Sequence, residues 1–99
     1  MGSNDRRLVV YDIDTTTDEG RKRLGRIGKL CCGFGTRVQK SVFEVIVPAH
    51  ELARLVSALN ELIDADTDTV RIYRLRPGPT DIVALGRATP PSTDDLLIL

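Results

Sequence analysis

The sequence is poor in the residues that build zinc sites and redox centres. It contains no tryptophan, one histidine and two cysteines among 99 residues. The cysteines, Cys31 and Cys32, are adjacent, so they form neither a four-ligand zinc site nor a CxxC redox pair. We expect two reduced thiols that contribute to packing. The single histidine, His50, is expected on a helix surface rather than as a catalytic base.

Long apolar runs are also missing. No stretch approaches the ~20 residues that a membrane-spanning helix needs, and no charged-then-apolar leader begins the chain. We therefore expect a cytoplasmic protein with no membrane partner. A hydrophobic content of 41% and a charged content of 28% over 99 residues are typical of one globular domain. Residues 1–5 are expected to form a short disordered lead.

Neither sign of charge dominates, because 14 Lys and Arg residues balance 14 Asp and Glu residues. The two halves of the chain differ, however. Residues 1–50 hold nine cations and six anions, whereas residues 51–99 hold five cations and eight anions. Eleven of the cations are arginine, which suits bidentate contacts to phosphate. This distribution permits a nucleic-acid partner on one face without requiring one.

The stretch from Leu8 to Asp14 predicts a buried strand in the middle of a sheet, because its first residues are apolar, aromatic or β-branched. An unpaired carboxylate is costly to bury, so we expect Asp12 at the carboxyl end, where the strand leaves the core. A carboxylate held there could bind a metal ion or orient the start of a helix. Asp14 is the competing candidate, and a capping role in the following turn explains it more simply.

Two helices are predicted. A capping box at Thr16 and Glu19 indicates a helix over about residues 18–32, in which glycines allow another group to approach closely. Its outer face is basic and is either solvated or directed at phosphates; its cations are Arg21, Lys22, Arg23, Arg26 and Lys29. Pro48 precedes a second helix, whose buried positions include Leu52, Leu55, Val56, Leu59, Leu62 and Ile63.

The other strands complete an α+β fold. Residues 36–39 and 42–47 are predicted as antiparallel strands joined by a tight turn or bulge, and residues 69–75 as a further strand. We expect the Asp64–Asp68 segment between helix and strand to be a solvated turn. The order is that of a ferredoxin-like βαββαβ sandwich, with an additional C-terminal strand near residues 82–85. Both helices cover one face of the sheet, and a second subunit would cover the other.

The chain is thus predicted to be a single domain over residues 1–99, with a core at about 7–76 and a tail at about 81–99. The tail ends in Leu96-Leu97-Ile98-Leu99. Four apolar residues at a terminus are an aggregation hazard in water, so we expect them to pack against a partner subunit.

Three stretches of this sequence together resemble one protein family. They are Val10-Tyr11-Asp12-Ile13, the segment GTRVQKSVFE over residues 35–44, and DTVRIY over residues 68–73. With a basic helix between the first and the second stretch, they resemble CRISPR-associated protein two, the small nuclease-like subunit of the CRISPR spacer-acquisition machinery. The basic helix, Leu85-Gly86-Arg87 and the apolar C-terminus look most like members from type I-C systems.

The resemblance implies a homodimer in which the last strand of each subunit adds to the sheet of its neighbour. It also implies a divalent metal ion, Mg²⁺ or Mn²⁺, held by Asp12 of both subunits for phosphodiester cleavage. Tyr11 could position substrate, although a buried strand tyrosine is an equal alternative. The candidates for phosphate contacts are Arg21, Arg23 and Arg37, whereas Ser41 and Phe43 belong to the motif near the dimer cleft, where packing suits Phe43 better than base stacking.

Two functions follow from the resemblance. One is a metal-dependent endonuclease acting on double-stranded DNA or single-stranded RNA and assembling with the CRISPR integrase. The alternative is a non-catalytic adaptor that bridges integrase dimers and holds protospacer DNA, for which Asp12 would be dispensable. An RNA-cleaving toxin of the same fold is less expected, and the sequence shows no glycine-lined effector pocket of a small-molecule regulatory domain.

Overall fold

A computed structural model describes residues 4–75, 83–86 and 97–98 of the chain. The main strands are β1 (Arg6–Asp12), β2 (Gly35–Gln39), β3 (Val42–Ile46) and β4 (Thr69–Arg74). The helices are α1 (Asp18–Cys32) and α2 (Ala49–Leu62), and two short strands follow, β5 (Val83–Ala84) and β6 (Leu97–Ile98). Neither helix is long and apolar enough to cross a membrane.

The four main strands form one antiparallel sheet in the order β2-β3-β1-β4. The predicted α+β, ferredoxin-like fold is therefore confirmed, and β1 lies inside the sheet as predicted. Side chains alternate along a strand, and one face of the sheet packs against both helices. The core on that face consists of Val9, Tyr11, Ile13, Ile27, Cys31, Phe43, Val45, Leu55 and Leu59.

The opposite face of the sheet carries a mixture of apolar and charged side chains. Leu8 and Val10 of β1 are half-buried there, and Tyr73 of β4 is 46% exposed. Arg6 and Glu44 form an ion pair on this face, with 3.3 Å between the guanidinium Nε and the carboxylate Oε2, and both side chains are buried. This is the face for which the sequence predicts a second subunit.

Helix α1 has the predicted bounds but not the predicted cap. The N-cap is Thr17, whose hydroxyl accepts a hydrogen bond from the Gly20 amide at 3.0 Å. The hydroxyl of Thr16 instead donates to the Asp14 carboxylate at 2.7 Å. The capping box at Thr16 and Glu19 was therefore wrong by one residue, because the bond to Asp14 orients the Thr16 hydroxyl toward the turn and Thr17 is the residue whose hydroxyl meets a helix amide.

Helix α2 begins directly after Pro48, as predicted. Leu55 and Leu59 are buried against the sheet, but Val56 is 45% exposed. The prediction of Val56 as a core residue was wrong, because the helix packs along the Leu55–Leu59 line and leaves the next position at the edge. The predicted hairpin is confirmed: β2 and β3 pair with a register shift between Arg37 and Gln39.

The described part of the C-terminal region pairs within the chain. Val83 and Ala84 run parallel to Leu97 and Ile98. The predicted strand near residues 82–85 is thus partly observed, whereas Leu96, Leu99 and most of the predicted tail lie outside the described residues. Exchange of this segment between subunits stays a prediction.

Candidate metal and nucleic-acid sites

Asp12 lies where the sequence predicts it, at the last position of β1. It is exposed, and it pairs with Thr69 in the ladder between β1 and β4. Because Tyr11 points into the helix-covered core, the alternation of the strand directs Asp12 to the opposite face. Across residues 4–75, 83–86 and 97–98, no hydrogen bond or ion pair engages this carboxylate.

A metal ion at Asp12 would need ligands from outside one chain. Among the described residues, no group of three His, Cys, Asp or Glu side chains is arranged to hold a metal ion. An exposed carboxylate with no competing partner nevertheless fits Mg²⁺ or Mn²⁺, which prefer oxygen ligands and, in the case of Mg²⁺, retain several waters. A second copy of Asp12 would supply another such ligand.

Asp14 caps the turn before α1, in agreement with its simpler interpretation. Its Oδ1 atom accepts hydrogen bonds from the Thr16 amide at 3.0 Å and from the Thr16 hydroxyl at 2.7 Å. These bonds lower the pKa of the Asp14 carboxyl. Since the side chain is occupied by the turn, Asp14 is not the better metal ligand of the two aspartates.

Asp68 is buried, so the prediction of a fully solvated acidic turn was wrong. Its Oδ2 atom accepts a hydrogen bond from Arg23 Nε and another from the Asp64 amide, each at 2.8 Å. Its Oδ1 atom accepts bonds from the Asp14 amide at 3.0 Å and the Thr67 hydroxyl at 3.1 Å. The carboxylate thereby joins α1, the end of α2 and the loop that follows Asp12.

Asp68 should make the fold sensitive to acid. Burial alone would raise the pKa of Asp68, but the bonds from Arg23, from the amides of Asp64 and Asp14, and from Thr67 outweigh it and hold the pKa well below its usual range. A lowered folded-state pKa contributes stability above the unfolded value of about 3.9, and this contribution is lost as the pH falls through the folded value.

We therefore expect the stability difference between wild type and Asp68→Asn to be largest near pH 7 and to shrink below about pH 4. Urea denaturation at pH 7, 4 and 3, at one protein concentration, measures this difference. A pH-independent difference would contradict the ionised, hydrogen-bonded state of Asp68.

Tyr11, Arg37 and Phe43 form a stacked cluster on the helix-covered face. The Tyr11 and Phe43 rings have centroids 6.2 Å apart, and the Arg37 guanidinium carbon lies 4.7 Å from the Phe43 centroid. Both the Tyr11 hydroxyl, at 3.4 Å, and an Arg37 Nη atom donate to the Lys40 carbonyl. Burial raises the pKa of Tyr11, and the Arg37 charge opposes that rise. Phe43 is fully buried, so its predicted packing role is confirmed.

An open groove of about 400 Å³ lies between α1 and the turn that joins β2 to β3. Arg21, Arg37 and Lys40 contribute its cations, and Tyr11 and Ser41 line it beside them. We call this the α1 groove. The structure thus brings four of the predicted site residues together, Tyr11, Arg21, Arg37 and Ser41.

Other predicted residues lie elsewhere. Asp12 is on the opposite face of the sheet from the α1 groove. Arg23 is held by Asp68 and its side chain is only 16% exposed, so Arg23 is left out of the proposed phosphate contacts.

His50 is on the helix surface as predicted. Cys31 is buried, and burial raises the pKa of its thiol to about 11, in keeping with a packing role. Cys32 is exposed, so the prediction that both thiols contribute to packing was wrong for Cys32.

Sequence reasoning missed Lys40 and Asp68, and it noted the glycines of α1 without placing them beside Arg37 and Lys40 in one groove. The sequence could have identified Lys40, because it stands in the turn between two predicted strands and next to Ser41. The partner of Asp68 is Arg23, 45 positions away, and no local pattern connects them.

A family model for CRISPR associated protein Cas2 matches residues 5–79. The chain belongs to the Cas2 family. The resemblance inferred from the three sequence stretches is therefore confirmed, while the likeness to type I-C members stays a prediction. The match includes Asp12, Asp68 and all the residues that line the α1 groove.

Curated relatives and a solved structure agree with this assignment. A Cas2 endoribonuclease of Moorella thermoacetica is 46% identical over 69 residues, covering 70% of this chain and 72% of the relative. A Cas2 endonuclease of Halalkalibacterium halodurans is 47% identical over 68 residues, covering 69% and 71%. The crystal structure of Streptococcus pyogenes Cas2 has a TM-score of 0.68 and 45% identity, covering 72% of this chain and 86% of that one.

Proposed function

We propose that this Cas2-family protein is a cytoplasmic, homodimeric, metal-dependent endonuclease of CRISPR spacer acquisition. Its substrates would be phosphodiester bonds in double-stranded DNA or single-stranded RNA. The observation that carries the proposal is Asp12, an exposed carboxylate without a partner in the described chain, fixed at the end of a central strand. The relatives from Moorella and Halalkalibacterium, named as an endoribonuclease and an endonuclease, support hydrolysis of nucleic acid.

Pairing two copies through the helix-free face would bring two Asp12 carboxylates together. Like charges at close quarters repel each other, so such a pair binds protons or a cation more strongly than a single carboxylate does. Asp12 from each protomer would therefore hold Mg²⁺ or Mn²⁺. When bound, the ion would lower the pKa of a water molecule and stabilise charge that develops on the phosphate.

The cations of the α1 groove would bind the nucleic-acid backbone. Arg37 is held by its stack on Phe43 and its bond to Lys40, so little side-chain entropy is lost when it contacts a phosphate. Arg21 donates to the Thr15 carbonyl at 3.0 Å and also pairs with Asp18, which places it beside the start of α1. Tyr11 and Asp12 are consecutive in β1 but face opposite sides of the sheet, so the groove and the proposed metal site are separate surfaces.

Binding at the α1 groove does not involve Asp12, and this separation favours a second role. The protein would also act as an adaptor that bridges dimers of the CRISPR integrase and holds protospacer DNA, whether or not it cleaves. In that role the cationic surface and the C-terminal residues Leu96–Leu99 would carry the function. A cleavage assay on an Asp12→Ala variant tests the nuclease role. The adaptor role should be unaffected by this substitution, because it does not use Asp12.

Nucleic-acid affinity should fall steeply with salt if arginines contact phosphates. For double-stranded DNA, each lost phosphate contact reduces the slope of log affinity against log salt by about 0.9. We expect Arg37→Gln to lower the slope by about that amount. Arg54→Gln is the matched control, because Arg54 is exposed on α2 and pairs with Glu51 at 2.9 Å, away from the groove. Fluorescence anisotropy between about 50 and 200 mM salt measures both slopes. Equal slopes for the two variants would place the phosphates elsewhere.

A further inference from the structure

The floor of the α1 groove is the bare backbone of helix α1. Gly25 and Gly28 both line the groove, one turn of helix apart, with Leu24 beside them. Such residues lower helix propensity by about 1 kcal/mol each relative to alanine. Their shared position beneath three cations indicates that the helix surface is kept open on this side.

The two glycines differ in what occupies the space above them. A Cβ atom on Gly28 would lie 2.8 Å from Arg37 Nη2 and 3.6 Å from the Tyr11 hydroxyl. The Arg37 side chain therefore uses the space at Gly28. In contrast, apart from the helix backbone and chain neighbours, no atom of the described chain lies within 4 Å of a Cβ on Gly25. Arg37 therefore occupies the space above Gly28, whereas the space above Gly25 is empty in the described chain.

The chemistry around this empty position is of two kinds. Arg21, Arg37 and Lys40 supply positive charge, and no acidic residue of the described chain lines the groove, although Asp18 pairs with Arg21 beside it. The wall also contains the Leu24 side chain and the Tyr11 phenol. Cationic groups favour a phosphate, while the open helix surface at Gly25, beside Leu24, leaves room for a flat ring to pack.

We propose that the α1 groove binds one nucleotide unit, with the phosphate at Arg37 and Lys40 and the sugar and base over Gly25. The proposal deepens the function proposed above, because a strand held at the groove would seat one of its nucleotides there. A free nucleoside monophosphate should also bind. That binding needs neither a metal ion nor Asp12, which lies on the other face of the sheet.

The test compares adenosine monophosphate, adenosine and inorganic phosphate by isothermal titration calorimetry on the full chain, with amide shifts of Gly25 and Gly28 followed by NMR. We expect the monophosphate to bind more tightly than either part alone and to shift both glycine amides. Asp12→Ala should bind it as wild type does, so loss of nuclease activity and loss of this site are distinguishable. Phosphate binding as tightly as the monophosphate would overturn the nucleotide assignment.

Gly25→Ala is the decisive variant, because it adds one methyl group to empty space in the groove. Alanine favours the helix, so the melting temperature should be unchanged or higher. Affinity for the monophosphate should nevertheless fall about tenfold, as expected when a site loses the room for one methylene group. Unchanged affinity in Gly25→Ala would overturn the proposal.

A pair of lysine variants tests the charge. Lys40→Gln removes a cation of the groove and should weaken the monophosphate about tenfold, as the loss of a charged hydrogen-bond donor does. Lys29→Gln is the matched control, because Lys29 is exposed on α1 and does not line the groove. Equal losses in the two variants would show general attraction by charge and would contradict a specific site.

Discussion

Asp12→Ala should abolish metal-dependent cleavage of nucleic acid while leaving the fold intact. The side chain is exposed and has no hydrogen bond or ion pair within the described chain, so its removal leaves no buried group unsatisfied. If both protomers contribute this carboxylate to one ion, the homodimer loses two metal ligands from a single substitution. Loss of a residue that only orients a metal ligand costs about 10- to 100-fold, so loss of the ligands themselves should exceed about 100-fold in rate.

The assay should measure cleavage of single-stranded RNA and double-stranded DNA with Mg²⁺, with Mn²⁺ and with a chelator. Asp66→Ala is the matched control, because Asp66 is an exposed aspartate in the turn before β4. It should cleave as wild type does. Cleavage by purified Asp12→Ala at the wild-type rate would show that the nuclease site lies elsewhere or that the activity comes from a contaminant.

The same variant gives a readout that does not depend on catalysis. A metal ion that binds the folded dimer and not the unfolded chain raises the melting temperature. Wild-type protein should therefore show a rise in melting temperature with Mg²⁺ that Asp12→Ala lacks. Integrase binding should survive in the variant, which would separate the adaptor role from cleavage.

The fold and the position of Asp12 at the end of β1 could be predicted from the sequence, because both depend on local patterns. Alternation and helical spacing placed the strands and helices within one or two residues of their observed ends, since burial of one face sets these periods. The cost of burying a charge placed Asp12 at the end of β1. The prediction of phosphate contacts rested only on the general preference of arginine for phosphate. The structure adds that Arg21 and Arg37 lie in one groove, where both could contact a phosphate.

The errors at Thr16 and Asp68 have different causes: a local contact decides the first and a tertiary contact decides the second. Glu19 favours Thr16 over Thr17 as the cap in the sequence, but the Thr16 hydroxyl donates to the Asp14 carboxylate and Thr17 caps the helix instead. Asp68 is one of three aspartates in a polar segment, and the approach of Arg23 and of the Asp14 amide from distant parts of the chain explains its burial. Local composition carries no information on the contact between Arg23 and Asp68, because these residues are 45 positions apart and meet only after the chain has folded.

Asp68→Ala should be the most destabilising single substitution in the acidic turn. It removes the acceptor for two backbone amides, Asp14 and Asp64, and leaves the Arg23 guanidinium without its partner. Removing one partner of a buried ion pair costs about 3–5 kcal/mol in the free energy of unfolding. For a domain of this size that corresponds to a fall of more than about 10 °C in melting temperature.

Urea denaturation at pH 7 and a fixed protein concentration measures the loss, with Asp66→Ala as the exposed control. Arg23→Met should cost less than Asp68→Ala, because Asp68 keeps its three other donors when Arg23 is removed. The two substitutions share one contact, so the double variant should be more stable than the sum of the single losses predicts. Additive losses would show that Arg23 and Asp68 act independently, and the junction of α1, α2 and the Asp12 loop would then need another explanation.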